Sequence, residues 1–226
     1  MKYIEWAPDT EHMLRYYAIA WGDIPPKEAD VAELLAETPD HELSVLERGL
    51  ELYQSGRVPK LTVYGIPEYR TKPENPVAYA GESAWRKWLV ERGVRDEDVI
   101  SIEGPPPGVT PHTGTEAQKF ALLAKERGWK TAFTVAPRDH TPRAFLNVIT
   151  FILRFDVELK AYAICGTDQP WHEVALHSQG ETRKTRIELV DGEYDRIRRE
   201  YDNEYDLVRC LPALAYLKWR DIKNTA

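Results

Sequence analysis

Apolar positions along this chain follow two periods. Short consecutive apolar runs alternate with longer stretches in which apolar residues recur every three or four positions. Residues 61–64, 98–102, 131–135 and 157–165 read as strands, and 29–36 as a first strand with Glu33 at its middle. Residues 9–21 read as a helix capped by Asp9 or Thr10, with Met13, Leu14, Tyr17 and Ala18 on one face. Residues 42–55 are amphipathic through Leu43, Leu46, Leu50 and Tyr53, and Gly56 stops them. A further helix is expected over 77–92, closed by Gly93. Another opens at Thr115, where Thr115-x-x-Gln118 forms a capping box, and ends at Gly128. The next runs to about Arg154, with Thr141 as N-cap and Pro142 at the first helical position.

Strands therefore alternate with helices. The alternation predicts right-handed crossovers and a parallel sheet covered on both faces, with ligands outside the carboxyl ends of the strands. Residues 104–108, Gly-Pro-Pro-Pro-Gly, form neither helix nor interior strand. Residues 167–191 are polar and read as irregular. Residues 193–209 read as a charged helix that continues after Pro212 as a shorter one. No internal repeat or low-complexity linker is visible, so a single domain is expected, with a core over about 26–165 and a helical extension over about 192–220.

A length of 226 residues suits one sizeable α/β domain. A hydrophobic content of 42% supplies a core, while 30% charged residues and a mean hydropathy of −0.52 indicate a soluble protein. No apolar run approaches the roughly 18 residues needed to cross a bilayer. Residues 1–6 show no basic stretch followed by an apolar core, so no signal peptide is expected. Cys165 and Cys210 lie far apart without metal-ligand spacing. They suit buried thiols in a reducing compartment, and a cytoplasmic location follows as the expectation. A formal charge of −7 argues against broad nucleic-acid binding, which needs a basic face. The local basic run 183–186 reads as solvated surface. The many tryptophans and tyrosines show no base-stacking spacing and are assigned to core or interface.

Candidate chemistry concentrates in two segments, 111–117 and 136–144, each opening a helix. A helix start can hold an anionic or polar ligand. In the second segment His140 can act as general acid or base, with Arg138 and Arg143 for an anionic group and Thr141 to orient it. The structural alternative is that His140 only bonds backbone and Arg143 forms a surface ion pair. In the first segment Thr115 is expected to cap, worth about 1 kcal/mol, and Glu116 is favoured by the helix dipole. Both helix starts follow neighbouring strands in sequence, so they can face one cleft. Glu103 ends a strand at the same sheet edge, and Glu82 lies inside a helix. His112, Asp139, His140 and Glu116 match no recognised metal-ligand spacing, so no metal site is expected. The serine-elbow, Walker and dinucleotide glycine patterns are absent.

Over residues 26–152 the chain resembles the YdcF-like, SanA/ElyC group, also described as domain of unknown function 218. The likeness rests on 27–31, on Arg48 to Leu61, on Gly81-Glu82-Ser83-Ala84, on Leu89 to Gly93, and on Glu103. It is most specific in Thr113-x-x-Glu116-Ala117 taken with His140-x-x-Arg143-Ala144. It implies a Rossmann-like three-layer α/β sandwich, with Glu82, Glu103, Thr113, Glu116, His140 and Arg143 as pocket residues. Within that group some members are tied to bacterial envelope biogenesis, and S-adenosylmethionine binding is known. Two departures stand out. The family's glycine-rich turn after the first strand is here Leu35-Ala36-Glu37-Thr38-Pro39, which restricts close approach of a phosphate or nucleotide. The family's asparagine before the threonine is His112.

Three functions follow as expectations. The first is a small-molecule enzyme, a transferase or hydrolase for a phosphate-bearing or nucleotide-like substrate. In it His140 is the acid or base, Glu116 or Glu103 assists, and Arg143 and Arg138 bind the anion. The second is a non-catalytic module for a nucleotide-like ligand such as S-adenosylmethionine. The third is an interaction protein working through its C-terminal helix. No motif encodes the oligomeric state.

Overall fold

A computed structural model describes residues 8–106, 108–177, 182–200 and 207–222, leaving aside the side chains of Pro8, Asp9 and Glu200. The expectations for residues 1–6, Asp9 as a cap, Pro107 and residues 178–181 and 201–206 lie outside the described residues.

Five strands, β1 (Val31–Leu34), β2 (Leu61–Gly65), β3 (Val99–Glu103), β4 (Thr131–Ala136) and β5 (Lys160–Cys165), form one parallel sheet in the order β3-β2-β1-β4-β5. The protein is thus an α/β Rossmann-like three-layer sandwich. Every residue of β1 is buried, as expected of a central parallel strand covered on both faces. From β1 the chain moves outward through α2 (Pro39–Gln54) and α3 (Glu82–Val90) to β2 and β3. It then returns through α4 (Thr113–Arg127) to β4 and continues through α5 (Thr141–Arg154) to β5. Right-handed crossovers place α2 and α3 on one face and α4 and α5 on the other. The direction reverses between β1 and β4, so the loops after those strands diverge and leave a crevice at their carboxyl ends.

Local chemistry explains the helix limits. Pro39 opens α2, with Asp40 and Glu42 in its first turn, and Gly128, at φ 67°, closes α4 in the left-handed conformation. In α5, residues 141–152 are all buried, because the sheet, α4, and the flanking α1 (Pro8–Trp21) and α7 (Cys210–Ile222) surround it. The core is continuous from Met13 on α1 to Leu217 on α7. Among the described residues no helix is long and apolar enough to cross a membrane.

Several sequence expectations are corrected. The first strand is shorter than 29–36. The third helix begins at Glu82 rather than near Val77, because a Tyr69–Tyr79 bridge holds the preceding segment extended. Leu14, Ala18 and Leu43 are exposed; Tyr16, Ala20, Val45 and Leu52 take the buried faces of their helices instead. Residues 167–191 are not irregular throughout. They hold an antiparallel pair, β6 (Val174–Leu176) and β7 (Arg183–Thr185), and α6 (Arg186–Glu200) starts within them. Pro212 lies in the first turn of α7 rather than before it. The β6–β7 pair docks on the start of α2, where Leu176 N donates to Asp40 Oδ2 at 2.7 Å and Thr38 Oγ1 donates to Leu176 O at 3.1 Å.

Candidate functional site

The two diverging loops meet through a pair of buried side chains. The β1–α2 loop brings Glu37, and the β4–α5 loop brings His140, whose Nδ1 lies 2.5 Å from Glu37 Oε1. Both are buried. Burial and Arg143 would lower the His140 pKa, but the Glu37 and Glu193 carboxylates together outweigh them and the net shift is upward. On the other side of the ring, Nε2 accepts from Arg143 Nη2 at 3.0 Å and lies 3.4 Å from Thr113 Oγ1. Arginine can only donate, so Nε2 is the acceptor and Nδ1 carries the proton that Glu37 receives.

Arg143 in turn links the Rossmann-like core to the C-terminal segment. Its Nε donates to Glu193 on α6, both groups being buried, and its Nη1 donates to Thr113 Oγ1 at 3.3 Å. Glu193 Oε1 also meets His177 Nε2 at 3.3 Å and Arg196 Nη1 at 3.4 Å. Burial favours the neutral acid, but Arg143, His140, His177 and Arg196 together hold the Glu193 carboxyl well below its ordinary range.

Beside this network a pocket opens above the start of α4. His112, Thr113, Gly114, Glu116, Arg143 and Arg196 line it, together with Tyr64, Tyr69 and Tyr79. The N-cap of α4 is His112, not Thr115. His112 Nδ1 accepts from Gly114 N at 3.1 Å and Thr115 N at 3.3 Å, while Thr115 Oγ1 accepts from His112 N at 3.1 Å. The reciprocal box sits one turn earlier than Thr115-x-x-Gln118, because an imidazole with a free lone pair can cap as a carboxylate does. Burial, with Arg143 nearby, pulls the His112 pKa down to about 4, in keeping with a neutral acceptor. The N-cap of α5 is likewise His140, with Thr141 and Pro142 already in the helix. His140 N and Thr141 N both donate to Pro137 O. These helix-start amides are engaged within the chain, so positive charge at the pocket comes from Arg143 and Arg196.

Glu116 is buried, and both its oxygens accept from Ala36 N, at 3.1 and 3.3 Å. Burial and then the nearby Glu33 raise its pKa well above the ordinary value. Glu33 itself is fully buried on β1, opposite Thr62 and Thr134 on the adjoining strands. One oxygen accepts from Thr134 Oγ1 at 3.1 Å, and the other has no partner among the described residues. Burial pushes its pKa up to about 8. The native state therefore keeps a proton that the unfolded chain loses near its ordinary value of 4.5, and stability falls as pH rises between these limits. The slope from this group is at most about 1.4 kcal/mol per pH unit. Glu33→Gln is expected to remove that decline and to be the more stable protein above pH 8. Urea unfolding at a series of pH values checks this; parallel curves for the two proteins would show that Glu33 holds no native proton.

The other expected site residues lie off the pocket wall. The Glu103 side chain, 81% exposed, pairs with Lys119 at 2.6 Å. Glu82 opens α3, accepts from the Ser101 hydroxyl and pairs with Arg86 at 3.1 Å. Arg138 pairs with Asp168 at 2.5 Å on the surface. Thr141 is buried and donates to Pro137 O at 2.8 Å. Asp139 faces His41 at 3.9 Å. Among the described residues no group of three or more histidine, cysteine, aspartate or glutamate side chains is placed to hold a metal ion. Sequence reasoning missed Glu37, His177, Glu193 and Arg196. Glu37 had a usable signal, an acid directly after the first strand. The other three lie in a polar segment with no local mark of a site. No known family model matches the chain, and no curated protein matches it significantly.

Proposed function

We propose that this protein is a small-molecule enzyme, a hydrolase or transferase acting on a phosphate-bearing or nucleotide-like substrate in the pocket at the strand carboxyl ends. The observation that carries the reading is the Glu37–His140 pair, which keeps the proton on Nδ1 and turns Nε2 toward Arg143 and Thr113 on the pocket wall. A buried imidazole held in one tautomer by a carboxylate is suited to move a proton near neutral pH. Arg143 and Arg196 bind the anionic group, and the partly exposed Tyr69 is placed to meet a base or sugar. The likeness to the YdcF-like group agrees with this reading without adding a reaction to it. Neither cysteine forms a disulfide among the described residues, as suits a cytoplasmic enzyme.

A second reading, a non-catalytic module for a nucleotide-like ligand such as S-adenosylmethionine, draws on one observation. His140 does not itself line the pocket but stands behind Thr113 and Arg143. Thermal denaturation with a panel of nucleotides, phosphosugars and S-adenosylmethionine tests both readings. Nucleotides or phosphosugars are expected to raise the melting temperature. A rise with S-adenosylmethionine alone favours the module, and no rise with any compound removes both.

A further inference from the structure

We infer that Thr113 is the nucleophile of this site and carries a transient phosphoryl ester during cleavage of a phosphodiester. The inference rests on the reading of the pocket as an enzyme site. Two contacts converge on one half-buried hydroxyl, and a third backs the imidazole that makes one of them. Thr113 Oγ1 is 3.4 Å from His140 Nε2, His140 Nδ1 is 2.5 Å from Glu37, and Arg143 Nη1 is 3.3 Å from Thr113 Oγ1. Nucleophile, base and orienting carboxylate thus stand in series, with a cation beside the oxygen that must become nucleophilic.

The helix start does not need this hydroxyl. His112 caps α4, and the hydrogen bonds of Thr113 Oγ1 run to His140 and Arg143. Gly114 makes that division possible. A Cβ there would lie 2.9 Å from His112 Cε1 and 3.1 Å from Nδ1, so a larger residue would push the imidazole off the amides.

Charge narrows the substrate. At the wall, two guanidinium groups, Arg143 and Arg196, face one ionised carboxylate, Glu193. The Glu37 charge lies behind the imidazole, where it stabilises the imidazolium formed during reaction. Burial shifts Glu116 toward its neutral form, and His112, with a pKa of about 4, is neutral near pH 7. Two guanidinium groups against one carboxylate at the wall suit an anionic substrate such as a phosphodiester.

Arg143 shares the Nε2 lone pair with the hydroxyl, and drawing the guanidinium onto the phosphate frees Nε2 for the Thr113 proton. The Thr113 oxygen attacks phosphorus, its proton passes to His140, the bond from phosphorus to the leaving alcohol breaks, and that alcohol takes the proton. Water then gives a proton to His140 and attacks phosphorus. The Thr113 oxygen leaves and recovers the proton, and the net products are a phosphomonoester and an alcohol.

The test uses the full chain with a fluorophosphonate probe, read by intact-mass and peptide mass spectrometry, alongside hydrolysis of bis(4-nitrophenyl) phosphate. The wild type and Thr113→Ser are expected to gain one phosphonyl group on residue 113. Thr113→Val and His140→Ala are expected to stay unlabelled there. Thr113→Val should also lose about a hundredfold or more in hydrolysis, with circular dichroism showing that it is folded. If Thr113→Val keeps the wild-type rate while His140→Ala loses it, the nucleophile assignment falls and the enzyme reading stands. If the wild type neither labels nor hydrolyses the diester, both fall.

Discussion

His140→Ala is expected to lower phosphodiester turnover by about 10²–10⁴-fold, the usual contribution of a positioned acid–base group. It should also destabilise the fold. The imidazole is the partner of a carboxylate only 1% exposed, and stranding such a charge costs about 3–5 kcal/mol. The two effects separate in a second variant. Adding Glu37→Gln to His140→Ala removes the stranded charge, so stability in urea is expected to recover while turnover does not. Turnover that recovered together with stability would show that the imidazole only supports the fold.

The pH dependence carries a further sign. In the proposed mechanism the neutral imidazole is the base, and Glu37 with Glu193 holds its pKa above the ordinary 6.5. The rise of kcat/KM with pH is therefore expected above that value and should move lower in Glu37→Gln. For stability the same shift works in the opposite sense. The stabilising contribution of the pair is complete below the unfolded pKa and is lost as pH rises through the native one.

Arg220→Ala is expected to destabilise the protein by about 3–5 kcal/mol, which for a chain of this size lowers the melting temperature by roughly 10 °C. Arg220 and Asp23 are sealed together, each side chain 2% exposed, with two contacts of 2.7 Å. The arginine also donates to Ala161 O at 2.9 Å and lies 4.1 Å from the centre of the Tyr162 ring, while Asp23 accepts from Ala163 N at 2.9 Å. One ion pair thus ties α7, the loop after α1 and the outer edge of β5. Cutting it leaves a buried carboxylate whose charge is met only by the amides of Ala163 and Ile24. Arg220→Met with Asp23→Asn removes both charges and is expected to recover part of the loss. Circular dichroism melts of the three proteins decide the matter, and an Arg220→Ala melt within a degree or two of the wild type would show that α7 docks by apolar packing alone.

Legibility of the site followed position in the sheet. Thr113, Glu116, His140 and Arg143 stand in or just after segments that leave strands, where period and chirality bring groups to one edge. Arg138 and Glu103 occupy the same edge and were equally plausible by that rule. Their side chains point outward, because a step of one residue in a loop, or a place on the edge strand β3, sends a side chain to solvent instead of the crevice. The cap of α4 was misplaced because threonine is the commoner cap and nothing local marks His112 as neutral. Its neutrality comes from burial near Arg143, two elements away.

The sequence alone determined the alternation of strands and helices, and through the handedness of crossovers it placed two polar helix starts at one sheet edge. These are consequences of local period and chirality, which a chain carries in its order of residues. Only the tertiary structure decided which groups meet there. Glu193 reaches Arg143 from 50 positions away, and Glu37 reaches His140 from 103. Contacts of that span are set by how packed layers settle on one another. The same settling makes a helix-opening threonine the end of a buried carboxylate–imidazole relay.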